Sequence, residues 1–272
     1  MIVACDAETR LRAAREWLNA HSRDAQILVL SPTWEAGDDF VRTAARDAGA
    51  RFGLMRSTLE RLVSNLATPI LAREGRAQLS RLSLEAIAAR SAHLLLAEDA
   101  LSYFSPIARR PGFARTITRT IEELRMNRVS LEVVRGLPRG GPDLALLAER
   151  IAIELSEARL ADRAARFEAA LQSVEGDRPP YPVGLPLLLL DLPITSGLEA
   201  ALIAALSSRT SETIATVPYG DTQTLRHLER ELECRIESIQ DSSESNSLAS
   251  LKSSLFEDTK PDRKSTRLNS SH

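Results

Sequence analysis

The chain has 272 residues, of which 43% are hydrophobic, enough to bury a core in one large domain or two modest ones. A formal net charge of −2 gives no overall signature of a nucleic-acid-binding or membrane-binding protein, so only a local basic face could serve such a partner. Cys5 and Cys234 are too few and too far apart for a disulfide framework or a zinc site, and no apolar run is long enough for a signal peptide or a membrane span. We therefore expect a cytoplasmic protein with no membrane partner.

The first predicted elements are short apolar runs that alternate with helical segments. Strands are predicted at residues 2–5, 25–30 and 52–55, and helical spacing of apolar residues follows the first two. Residues 57–60 (STLE) have the spacing of a capping box, so a third helix should begin there. This order predicts a β-α-β-α-β-α segment with parallel strands.

Strand signals then stop, and the chain is helix-prone through the next hundred residues. Residues 84–96 are rich in alanine and leucine, Pro111 is suited to the first position of a helix that runs to residue 126, and residues 144–174 read as one long helix. Prolines at 179, 180 and 182 close the block. The pattern predicts a helical insertion.

The most hydrophobic stretch follows at residues 186–194 (PLLLLDLPI). A run of leucines with no polar face predicts a strand covered by helices on both sides, and we expect it to lie beside the strands at 2–5 and 27–30. Residues 196–199 (SGLE) form another capping box, so Asp191 falls between a strand and a helix, where α/β sheets place ligand chemistry. Further strands are predicted at 213–217 and 234–239, around a helix at 222–231.

These elements predict an α/β core that a helical insertion interrupts. The core consists of residues 1–57 and 179–240, the insertion spans 58–178, and residues 241–261 form a linker or the start of a truncated next segment. Arginine supplies every basic residue before Lys252, and the lysine-containing tail 262–272 (DRKSTRLNSSH) back-translates into a common sequencing adapter. We expect that tail to be non-native and the natural chain to continue beyond Pro261.

The chain resembles the N-terminal part of the AddB-type subunits of bacterial helicase–nucleases, which belong to the PD-(D/E)XK nuclease family. The resemblance covers much of residues 1–240 and lies in residues 52–62 (FGLMRSTLERL), 111–125 (PGFARTITRTIEELR), 160–171 (LADRAARFEAAL), 186–206 (PLLLLDLPITSGLEAALIAAL) and 215–225 (ATVPYGDTQTL). It implies a RecA-like parallel sheet, namely a degenerate P-loop NTPase or superfamily 1 helicase core with a helical insertion subdomain. It also implies DNA and an AddA-type subunit as partners, and an exonuclease domain that lies beyond this chain.

The residues themselves argue against nucleotide hydrolysis. Where a P-loop would follow the first strand, residues 6–10 (DAETR) contain no glycine or lysine, and two acidic side chains would face any phosphate. In nucleotide motors an aspartate at the position of Asp191 holds magnesium and a glutamate follows it, but Leu192 stands there in this chain. We therefore predict that Asp191 is a vestigial motif II-like residue or a loop-capping carboxylate, and that ATP and magnesium are not used.

No catalytic or metal-binding residue is predicted in this fragment. Residues 258–260 (DTK) match the (D/E)-x-K pattern of the nuclease family, but we interpret the match as a coincidence, because no predicted strand presents them and no acidic partner lies upstream in register. His21, His93 and His227 are isolated. The candidates for nucleic-acid binding are Arg109, Arg110, Arg115 and Arg119, around one predicted helix. Arginine forks suit phosphate contacts, whereas the alternative is a solvated face with Glu122 and Glu123 as partners.

Two hypotheses follow for function. The first is an ATP-inert, helicase-like scaffold and DNA-contact module of a helicase–nuclease subunit in double-strand-break processing and recombinational DNA repair. The alternative is a small α/β enzyme that binds a nucleotide or another phosphate ligand through non-classical loops. A reading frame that continues past Pro261 into a nuclease motif would favour the first hypothesis, and a natural stop near Leu255 would favour the second.

Overall fold

The computed structural model describes residues 1–4, 6–232 and 237–238. The predictions for Cys5, Cys234, the linker 241–261, the triplet 258–260 and the tail 262–272 lie outside this range. The strands are β1 (Ile2–Ala4), β2 (Ile27–Leu30), β3 (Leu54–Ser57), β4 (Ala77–Gln78), β5 (Leu160–Ala161), β6 (Leu187–Leu190), β7 (Thr213–Pro218) and β8 (Glu237–Ser238). The helices are α1 (Ala7–Asn19), α2 (Trp34–Asp47), α3 (Leu59–Arg73), α4 (Arg81–Ala97), α5 (Phe113–Met126), α6 (Leu131–Arg135), α7 (Gly141–Glu157), α8 (Arg163–Glu175), α9 (Gly197–Ser208) and α10 (Thr222–Glu231).

Six parallel strands form the main sheet in the order β3-β2-β6-β7-β1-β8, which confirms the predicted RecA-like α/β fold. The leucine run is the central strand β6, and all four of its residues are buried. It pairs with β2 on one side, as expected, but β7 and not β1 lies on its other side. The expectation that β6 adjoins residues 2–5 is therefore wrong, because the single helix α9 returns the chain directly beside β6 and places β7 there.

Helices cover both faces of the sheet, as the leucine run predicts. Helices α1 and α2 pack on one face through residues such as Leu18 and Phe40. Helices α3, α8 and α9 pack on the other face, where Leu62, Phe167 and Ile203 are buried. Since neither face of β6 meets water, its side chains need no polar alternation.

A second hydrophobic core lies within the helical lobe, which we define as α4 to α7 with their connecting loops. Leu84, Ile117 and Ile151 are buried there, one each from α4, α5 and α7. Helices α3 and α8 belong to the region 58–178 but pack against the sheet instead. The short parallel pair β4–β5 joins the chain segments that enter and leave the lobe.

The start of α3 differs by one residue from the predicted one, because Thr58 and not Ser57 is its N-cap, and the Thr58 hydroxyl accepts from the Arg61 N–H at 3.4 Å.

Two other helix boundaries also differ from the predicted ones. Helix α5 begins at Phe113 and not at Pro111, because Gly112 adopts a φ of +88° that an α-helix cannot include. The predicted long helix 144–174 is two helices, and the break contains Arg159 at φ +51° and the N-cap Asp162, whose carboxylate accepts from the Ala165 N–H. None of the helices in the described part of the chain has the length and apolar content that a membrane span requires.

Candidate functional site

The carboxyl edge of the sheet brings together the start of α1 and the loop after β6, where parallel α/β sheets place ligand sites. Helix α1 starts almost directly after β1, with Asp6 as its N-cap. The Asp6 carboxylate accepts hydrogen bonds from the Thr9 N–H at 3.1 Å and from the Thr9 hydroxyl at 3.3 Å. The helix start that would receive a phosphate therefore already holds a carboxylate of the chain itself.

Asp191 follows β6 at a φ of +46°, and its carboxylate forms an ion pair with an arginine. Arg10, in the first turns of α1, donates from Nε to Oδ1 at 2.9 Å and from Nη2 to Oδ2 at 3.0 Å. Its Nη1 donates to the Ala4 carbonyl at 2.6 Å, and the Thr216 hydroxyl on β7 donates to Asp191 Oδ1 at 2.8 Å. Both carboxylate oxygens thus have fixed donors in a bidentate pair.

Sequence reasoning missed Arg10 as a partner for Asp191. The signal was its place on the buried stripe of α1, since Arg10, Ala14 and Leu18 are four residues apart and all three are buried. A charged residue on such a stripe requires a partner, and in the folded chain Asp191 is that partner. The geometry fits a structural carboxylate better than a magnesium ligand, because Arg10 and Thr216 already donate to Asp191.

A cleft of about 310 Å³ lies where α5 of the helical lobe meets the loop after β6. Its basic lining residues are Arg81, Arg119 and Arg163, and its acidic ones are Glu122 and Glu123. On the core side the Ser196 hydroxyl caps α9 by accepting from the Glu199 N–H. The second half of this predicted capping box is displaced by one residue, because Glu199 accepts from the Thr195 N–H at 2.7 Å.

An ion-pair network fixes Arg163 at the base of the cleft. Arg163 donates to Glu60 and to Glu199, each at 2.7 Å, and the Thr195 hydroxyl donates to Glu199 at 2.9 Å. Burial disfavours the charged form of both members of the Arg163–Glu199 pair. The hydrogen bond between them, together with Glu60 beside Arg163 and Thr195 beside Glu199, outweighs the effect of burial. The pKa of Glu199 is therefore lowered and the pKa of Arg163 is raised.

The four candidate arginines fall into two pairs. Arg115 and Arg119 lie one turn apart on the exposed face of α5, with 73% and 75% of their side chains accessible. Arg115 is 3.8 Å from Glu85, and Arg119 donates to Glu123 at 2.9 Å. Arg109 and Arg110 are exposed in the turn before α5, and neither forms an ion pair within the described residues.

Histidine, cysteine, aspartate and glutamate side chains do not gather into any group of three that could hold a metal ion within residues 1–4, 6–232 and 237–238. Comparison of the chain with protein-family models and with curated proteins finds no match.

Proposed function

We propose that this chain is an ATP-inert, helicase-like scaffold that contacts DNA through its helical lobe, as the N-terminal module of a helicase–nuclease subunit in double-strand-break processing. The observation that carries the proposal is the bidentate Arg10–Asp191 pair at the carboxyl edge of a RecA-like sheet. This pair supports a scaffold role, because it uses the acidic group that a nucleotide motor needs for magnesium.

Nucleotide binding would have to displace two internal contacts. Magnesium would compete with a guanidinium whose side chain is only 7% exposed, so the arginine would lose its partner without gaining water. The phosphates would also approach the Asp6 carboxylate at the start of α1. Both costs oppose binding, and neither is offset by a glycine-rich loop.

DNA contact is proposed for the exposed arginines of α5 and the neighbouring Arg81 on α4. Arg81, Arg115 and Arg119 keep between 67% and 75% of their side chains accessible although each has a glutamate nearby. Such surface pairs contribute at most about 1 kcal/mol, so a phosphate can replace the glutamate at little cost. The planar fork of arginine then suits a phosphate oxygen pair.

Fluorescence anisotropy with a labelled DNA duplex that carries a single-stranded tail tests the contact. We expect R115Q/R119Q to weaken binding and to reduce the slope of log K against log salt concentration by about 1 to 2, since each arginine neutralises about one phosphate. The matched control is R42Q/R230Q, which removes two arginines of the α/β core that are 75% and 83% exposed. Equal losses in both variants would refute a contact located on the lobe.

A thermal melt with Mg-ATP tests the inert core separately. Any ligand that binds the folded state at saturating concentration raises the melting temperature, and we expect no rise. A clear rise would overturn the scaffold proposal and support the alternative of a small enzyme that binds a phosphate ligand through non-classical loops. The DNA experiment is unaffected by this outcome.

A further inference from the structure

Four large apolar side chains are exposed where two loops of the helical lobe meet. Tyr103 and Ile107 belong to the loop between α4 and α5, whereas Val133 lies on α6 and Leu137 in the loop that follows it. Each is between 47% and 60% exposed. We call these four residues the lobe patch. Large apolar residues that cluster on a surface indicate an interaction site, whereas single ones do not.

The loop that carries Tyr103 and Ile107 is held against the start of α7 and the glycine before it by defined contacts. The carboxylate of Asp143, which is buried at the start of α7, accepts from the Ser102 hydroxyl at 3.2 Å and from the Phe104 N–H at 2.9 Å. Gly140 lies against the Tyr103 ring, since a Cβ added there would stand 2.8 Å from Tyr103 Cδ1. The patch is therefore preformed, which lowers the entropy cost of binding a partner.

Leu137 lies against Gly141, the residue that follows Gly140. A Cβ added at Gly141 would stand 2.8 Å from the Cβ of Leu137. Val133 is exposed on α6, and Leu137 is exposed two residues after the end of that helix. Tyr103 and Leu137 thus flank two adjacent residues of the chain, Gly140 and Gly141.

The border of the lobe patch is basic. Arg109 and Arg110 follow Ile107 closely in the chain, and Arg139 follows Leu137. All three are exposed, and none of them forms an ion pair with any residue that the structure describes. Glu132 is the acidic side chain on α6 itself, so the charges favour an acidic partner.

We propose that the lobe patch docks an acidic amphipathic helix of a partner protein. An amphipathic helix presents a stripe of apolar side chains to the patch, and acidic residues beside that stripe would meet the three arginines. Three of the four patch residues are aliphatic and have no aromatic face, so they fit protein side chains better than nucleic-acid bases, which bind single strands by stacking. The site goes beyond the DNA contact proposed for Arg115 and Arg119.

The test uses a labelled synthetic helical peptide with leucine at positions i, i+3, i+4 and i+7 and glutamate elsewhere, measured by anisotropy with the full chain. We expect saturable binding that weakens about tenfold when glutamate is replaced by lysine, and about fivefold to tenfold in L137S or V133S. R109Q/R110Q/R139Q should weaken binding and reduce its salt dependence. The matched control is I153S, which removes an apolar residue of similar exposure from α7 outside the patch and should leave binding unchanged.

Three outcomes would overturn the proposal. These are no saturable binding of the acidic peptide, equal binding by L137S and the unmodified chain, and equal binding of the acidic and basic peptides. A labelled oligothymidine is measured in parallel, and tighter binding of it than of the peptide, with a loss in L137S, would show a nucleic-acid surface instead. Thermal melts of each variant keep a folding defect from being read as a loss of binding.

Discussion

Arginine has opposite roles at the carboxyl edge of the sheet and on the helical lobe. At the sheet edge, Arg10 is almost entirely buried and donates to Asp191 and to the Ala4 carbonyl. On the lobe, Arg119 is three-quarters exposed and has a single carboxylate partner. A buried guanidinium with fixed acceptors is part of the fold, because its removal leaves a charge uncompensated, whereas an exposed one can exchange partners. Arg10 therefore takes up the carboxylate at the sheet edge, whereas Arg119 remains accessible to a ligand.

The largest difference between the two regions should appear on substitution of a leucine by aspartate. Leu189 is buried in β6, between β2 and β7, so L189D places an unpaired charge in the interior of the sheet. We expect no cooperative folding by circular dichroism. The matched variant L137D alters a half-exposed leucine of the lobe patch and should change the free energy of unfolding by no more than about 0.5 kcal/mol. A cooperative melt of L189D would contradict the two-sided burial of β6.

A smaller but still clear difference should separate the two arginine pairs. D191N keeps the shape of the side chain but removes the charge that faces Arg10, and we expect it to lower the free energy of unfolding by about 2–3 kcal/mol. The expected loss is smaller than for a fully buried pair because the Asp191 side chain is 25% exposed. E123Q removes the partner of Arg119 and should cost less than about 0.5 kcal/mol. Urea unfolding measures both, and equal losses would remove the distinction between the regions.

The sequence predicts the sheet more completely than it predicts the contacts at the sheet edge. The leucine run of β6 predicts a strand that helices cover on both faces, and the structure confirms this prediction. Strand neighbours are less determined, since β7 lies beside β6 where β1 was expected. Sequence patterns predict which strands are buried. The order of those strands in the sheet depends on the connections between them, such as the short crossover through α9 from β6 to β7.

The candidate site was only half accessible to prediction, because its contacts join residues far apart in the chain. Asp191 stood out by its place after a buried strand, while its partner Arg10 is 181 positions away. The four arginines near α5 were identified from local composition, but which of them have partners depends on elements such as α4, which supplies Glu85 to Arg115. Local patterns indicate which residues are charged and exposed, and tertiary packing decides which of them remain available.

The smallest expected effect is a difference in acid stability that depends on Glu199. Its pKa is lowered in the folded chain from an ordinary value of 4.5, because the hydrogen bond from Arg163 and those from Thr195 outweigh the effect of burial. The charged carboxylate therefore adds stability that is fully present above pH 4.5 and is lost as the pH falls through the lower folded pKa. Arg163 stays charged throughout, since its pKa is raised. We expect the free energy of unfolding to fall more steeply below pH 4.5 in the unmodified chain than in E199Q, whereas E123Q should follow the unmodified chain. Parallel curves for the unmodified chain and E199Q in urea titrations across this range would show that the Arg163–Glu199 pair, although largely buried, is no more coupled to folding than the exposed pairs of the lobe.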